Sequence, residues 1–146
     1  NTGIQYIKLN GEYLSEFLLH TYIAACIGVP VVFLSGDLGL CQEANRINEN
    51  IVTVPVKEGL GSSTVNIHPQ LALDLIRKGV EESLKKDFSL YKIQLPEEFE
   101  LEVRYNENSD VIKSLNYYNT EQVDYKTVKY KSKDFMEVLR AIRFIV

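Results

Sequence analysis

The stretch from Asn10 to Asp37, NGEYLSEFLLHTYIAACIGVPVVFLSGD, constrains this chain more than any other, because a turn, a helix and a buried strand follow one another with almost no spacer. Asn10-Gly11 separates Tyr6-Ile7-Lys8-Leu9 from Glu12-Tyr13-Leu14, and both residues tolerate the positive φ angles of a two-residue hairpin turn. Ser15 can cap a helix by accepting from first-turn N–H groups, with the Glu16 carboxylate at the positive end of the helix dipole. The spacing predicts a helix to about Ile27, stopped by Gly28 and by Pro30 beyond it. Val31-Val32-Phe33-Leu34 is apolar without alternation, which predicts a parallel strand covered on both faces. Ser35-Gly36-Asp37 leaves the carboxyl end of that strand, where open α/β sheets place ligands.

Further along, Leu40, Cys41, Ala44 and Ile47 suit a short helix over 38–47 with Asp37 near its N-cap. Residues 51–56 read as a strand in which Pro55 marks an edge or a bulge. The Gly- and Ser-rich segment 57–64 reads as a flexible loop, since it lacks the Lys placement of a phosphate-binding P-loop. His68-Pro69 opens the longest helix, with Ala72, Leu75, Ile76, Val80 and Leu84 as its apolar stripe. A connector with Pro96 then leads to an alternating strand over 99–105, a short helix over 110–117, a second alternating strand over 125–131 and a helix over 132–145 that Ser132 can cap.

These elements predict an α/β fold, a mixed sheet with flanking helices, plus a small α+β layer at the carboxyl end. The expected division is an α/β unit over 1–87 and an α+β unit over 88–146, packed as parts of one larger domain. Composition agrees with a globular protein, at 45% hydrophobic and 25% charged residues. No apolar run reaches the roughly 20 residues of a membrane span, so no membrane partner is expected. Two cysteines do not make a disulfide framework and fit a reducing, cytoplasmic setting, with Cys26 packed in its helix and Cys41 the more accessible. A net charge of −4 argues against a nucleic-acid partner. The lysines at 126, 129, 131 and 133 read instead as gatekeepers on a solvated edge strand. The chain opens Asn1-Thr2-Gly3 without methionine, and its one methionine is Met136, so it is expected to begin inside a larger protein.

Chemistry concentrates on one helix. Glu16 and His20 are four residues apart and can present two metal ligands to one side, although such pairs also occur on plain solvent-facing helices. The other histidine, His68, suits a cap. Ser35-Gly36-Asp37 lacks the surroundings of a nucleophile elbow, and Cys41 has no activating neighbour in sequence. From these residues no complete catalytic site can be assembled, so no catalytic residue is assigned and substrate-binding residues are left open.

The order of these pieces resembles the carboxyl-terminal half of the DppA-type D-aminopeptidases, zinc peptidases that release D-amino acids from short peptides. The Asn10-Gly11 turn, Glu16 before an apolar helix, Gly28-Val29-Pro30-Val31 into Leu34-Ser35-Gly36-Asp37, Glu43-Ala44, Val56-Lys57 and His68-Pro69 carry the resemblance. It implies a ring-shaped homo-oligomer acting on short peptides, with a zinc pair in each complete subunit. It also implies that Glu16 is one zinc ligand, with His20 as a possible addition. The other ligands and the histidine proposed for catalysis would precede this region, leaving the chain inactive alone. His20 and Leu38 depart from the family pattern, where asparagine and a second aspartate are expected. Two other readings stay open: a binding or assembly module that keeps the scaffold without the metal site, and an unrelated α/β hydrolase or transferase using Asp37.

Overall fold

A computed structural model describes residues 3–146. In chain order the elements are β1 (Ile4–Leu9), β2 (Glu12–Tyr13), α1 (Glu16–Cys26), β3 (Phe33–Asp37), α2 (Leu38–Ile47), β4 (Val52–Leu60), β5 (Ser63–Asn66), α3 (Pro69–Ser83), β6 (Phe99–Tyr105), α4 (Asn108–Ser114), β7 (Thr120–Asp124), β8 (Thr127–Ser132) and α5 (Phe135–Ile145), with a 3-10 turn at Phe88–Tyr91. They group into two units, one made of residues 1–19 and 95–146, the other of residues 20–94. The fold class expected from sequence is the one observed.

The first unit is a five-stranded antiparallel sheet in the order β2-β1-β6-β8-β7. Along β6 burial alternates residue by residue, with Phe99, Leu101, Val103 and Tyr105 inside. Period-two side-chain geometry puts these on one face with Val128 and Tyr130 of the neighbouring strand, and α5 covers it through Phe135, Val138, Ala141 and Ile145. Phe99 and Phe135 meet at a ring separation of 5.0 Å. Tyr105 carries its hydroxyl into this core, 2.5 Å from Ser114 Oγ, and donates to the Ile145 carbonyl.

The opening hairpin belongs to this sheet. Asn10 and Gly11 take φ of 51° and 86°, the turn the dipeptide predicts, and Asn10 does more than turn the chain. Its Oδ1 accepts from Glu100 N at 2.6 Å and its Nδ2 donates to the Glu98 carbonyl at 3.0 Å, tying the hairpin to β6. The boundary expected at 87/88 is therefore corrected: pairing of β1 with β6 carries the first 19 residues into the carboxyl-terminal unit, and the change of unit falls at 94/95.

Two readings in this half are corrected as well. β8 is flanked by β6 and β7, so its lysines do not guard an edge: Lys129 and Lys131 reach Glu100 at 2.6 and 3.0 Å. The true edge strand, β7, is too polar to carry an alternating signal. The last helix is capped by Asp134, whose Oδ1 accepts from Met136 N, while the Ser132 hydroxyl accepts from Asp134 N in the turn before it.

The second unit is built on a three-stranded mixed sheet, β3-β4-β5, with β3 and β4 parallel and β4 and β5 antiparallel. Phe33 and Val54 lie on one side of it, where Gly79 of α3 comes against them. Thr53 points the other way and donates to Asn45 Oδ1 of α2 at 2.9 Å. Helices thus cover both sides of β3 and β4, as the unbroken apolar run requires. Pro55 lies where the β3–β4 register slips between Gly36 and Asp37, the bulge its missing N–H called for.

The segment 57–64 is not a flexible loop. β4 runs on to Leu60 and turns through Gly61, at φ of 60°, into β5. On α3 the inward residues are Ala72, Ile76, Gly79 and Ser83, whereas Leu75, Val80 and Leu84 of the expected stripe are exposed. Glycine and serine at the closest approach replace the bulky residues that a periodicity argument looks for.

Candidate functional site

The sequence places its chemistry at the start of α1, and the helix forms where expected. Ser15 Oγ accepts from Leu18 N at 3.0 Å, satisfying one of the donors that a helix start leaves open. Glu16 is the first residue of the helix and is exposed, at the positive end of the helix dipole. His20 follows one turn later and is also exposed. Gly28, at φ of 74°, ends the helix in the left-handed conformation that a side chain would strain.

At the carboxyl end of β3, Asp37 turns the chain into α2. Its Oδ1 accepts from Gly39 N at 2.8 Å, so the residue nominated for a strand-end site serves as a helix cap. Its Oδ2 faces Gly59 of the β4–β5 hairpin, where a Cβ would stand 4.0 Å away. His68 caps α3 through Nδ1, which accepts from Gln70 N at 3.2 Å. Both side chains are engaged in holding backbone.

The cysteines exchange the roles expected of them. Cys26, on the last turn of α1, is exposed. Cys41 is 2% exposed, and burial pushes its thiol pKa up, with the Asp37 charge adding to the effect. A protonated, enclosed thiol is a poor nucleophile. A cavity of about 230 Å³ in the second unit is lined by Thr21, Val29, Pro30, Val31, Ile51 and Tyr91 among others. Its lining offers no carboxylate or imidazole to a metal.

Among the described residues no group of three or more His, Cys, Asp or Glu side chains comes together as a metal site. A catalytic zinc takes three protein ligands and an open position. Glu16 can contribute one carboxylate and His20 one imidazole, so the donors present do not amount to a zinc site on their own.

The fold these features define is a mixed α/β unit flanked by helices and joined to an antiparallel α+β layer. The sequence model of the peptidase family M55, D-aminopeptidase, matches residues 1–144, and the chain belongs to that family. A D-aminopeptidase of Bacillus subtilis (strain 168) is 23% identical over 142 residues, covering 96% of this chain and 52% of that protein. The solved structure of the Zn-dependent D-aminopeptidase DppA from Bacillus subtilis, described as a self-compartmentalizing protease, shares the fold. The match has a TM-score of 0.83 and 21% identity, covering 99% of this chain and 54% of that one. The chain thus spans about half the length of the relatives it matches. None of its helices is long and apolar enough to cross a membrane, among the described residues.

Proposed function

We propose that these 146 residues form the carboxyl-terminal part of a zinc-dependent aminopeptidase that hydrolyses short peptides with D-amino-acid amino termini. The observation that carries this reading is the family match over residues 1–144 together with Glu16 at the exposed, Ser15-capped start of α1. In the complete site, zinc supplies Lewis-acid activation of a water and of the scissile carbonyl. The contribution of this chain is Glu16, a carboxylate at the exposed start of a helix that Ser15 caps, with His20 as a further candidate ligand one turn on. The remaining ligands come from the half of the family fold outside these residues, and the chain alone is inactive. Zinc dependence of the DppA relative supports the cofactor, and its self-compartmentalizing character supports a homo-oligomer acting on peptides; the cytoplasmic setting of the proposal rests on the two-cysteine composition alone. Hydrolysis of a D-alanyl dipeptide by a longer protein that joins this chain to the ligand-bearing half tests the reading. Loss of hydrolysis in the Glu16→Ala variant is expected, and unchanged hydrolysis would refute it.

A second reading is a non-catalytic binding or assembly module that retains the scaffold. The absence of a three-ligand group among the described residues favours it. It predicts that the chain stays metal-free even when the ligand-bearing half is supplied.

A further inference from the structure

Thr21 on α1 is 2% exposed, and its hydroxyl has no hydrogen-bond partner among the described residues. An unpaired buried hydroxyl costs free energy, so such a group in a folded chain calls for a physical account. Thr21 forms part of the wall of the cavity of about 230 Å³, together with Val29, Pro30 and Val31 after α1, Ile51 before β4, and Tyr91. The Tyr91 hydroxyl is already committed to the Ser83 carbonyl at 2.8 Å. Helical threonine occupies two χ1 rotamers, and rotation about that one bond carries the hydroxyl round the wall. A water held there needs two to four polar partners, which valine, proline and isoleucine side chains do not supply. An apolar enclosure with one placed polar group is instead the make-up of a small-molecule site.

We infer that this cavity binds a small neutral amphiphile, an apolar body of phenol size carrying one group that hydrogen-bonds to Thr21 Oγ1. An apolar cavity of about 150 Å³ is enough to hold benzene. The larger volume here leaves room for a ring with a short polar substituent. Ile51 directly precedes β4 and Val31 lies two residues before β3, and the two strands are parallel. The cavity therefore lies at their amino ends, at the other end of β3 from Asp37. Glu16 is not part of its wall, so the zinc reading and this site fail separately.

The test is titration of the 146-residue chain with phenol and with benzene, followed by amide chemical shifts. Both probes should saturate, with the largest shifts at Val29, Val31 and Ile51. Thr21→Val keeps the shape of the side chain and removes the hydroxyl, so it should weaken phenol by about five- to tenfold and leave benzene unchanged. Because that hydroxyl has no partner in the empty chain, the melting temperature of Thr21→Val without probe should stay level or rise. Ala25→Leu, which adds bulk to a wall residue on α1, should abolish binding of both probes while circular dichroism shows the chain folded. No binding of either probe at millimolar concentration means a cavity filled by water only and overturns the inference. Equal phenol affinity in Thr21→Val, or shifts centred away from these residues, would overturn it as well.

Discussion

Gly79 of α3 lies so close to the ring of Phe33 on β3 that a Cβ at position 79 would stand 2.7 Å from it, and 3.0 Å from a methyl of Val54. The glycine lets the helix backbone rest on the sheet. Gly79→Ala sets a gain of up to about 1 kcal/mol in helix propensity against the displaced ring, and the two nearly offset. Gly79→Val has no such compensation and should destabilise the chain by about 2 kcal/mol, measured as a lower midpoint in urea unfolding. Combining it with Phe33→Leu should recover part of the loss.

The buried hydroxyl of Tyr105 supplies a second test. It contacts Ser114 Oγ and donates to the Ile145 carbonyl, while Ser114 also donates to the Asp110 carbonyl at 2.7 Å. Tyr105→Phe keeps the ring and leaves the Ile145 carbonyl without this donor, so stability should fall by about 1–3 kcal/mol. Ser114→Ala leaves that donor in place and should cost less, as read in the same unfolding experiment.

The two thiols should differ in reactivity. Cys26 is exposed, and Cys41 is enclosed with its thiol pKa raised by burial. Titration of the native chain with an aromatic disulfide reagent should release one equivalent quickly. The second should appear only at the rate of unfolding, or on adding denaturant. Cys26→Ser should abolish the fast phase.

Acid should act partly through Glu100. Its hydrogen bonds and ion pairs with Lys129 and then Lys131 hold its carboxyl below the usual glutamate range. A carboxylate with a depressed folded pKa stabilises above its unfolded pKa, about 4.3, and loses that contribution as pH falls through the lower folded value. Stability of the chain should therefore decline below about pH 5. Glu100→Gln should be less stable at pH 7 by about 0.5–1 kcal/mol and show a shallower acid decline, in thermal melts taken from pH 7 to 3.

What could be read from the sequence was what local chemistry dictates. Asn10-Gly11, Ser15, Gly28 and His68-Pro69 each fix a backbone conformation or satisfy a helix donor by themselves, and each stands where expected. Missed features depend on distant partners. That Asn10 bonds to Glu98 and Glu100, some ninety residues on, has no local signature. The packing face of α3 carries no periodic apolar signal because its closest contact is a glycine, and Leu75, Val80 and Leu84 are exposed. The hairpin at Gly61 reads as a loop in sequence because β5 is exposed throughout and lacks an apolar alternation. Of the candidate site, Glu16 and the Ser15 cap of its helix are legible because both act within one helical turn.

The claim that Glu16 is a zinc ligand is tested most directly by metal content. A longer protein joining this chain to the ligand-bearing half of the family should hold about two zinc ions per subunit after dialysis, measured by plasma emission spectrometry. Glu16→Gln should hold less zinc, with its circular dichroism and melting unchanged. Zinc content identical in the two proteins would contradict the assignment.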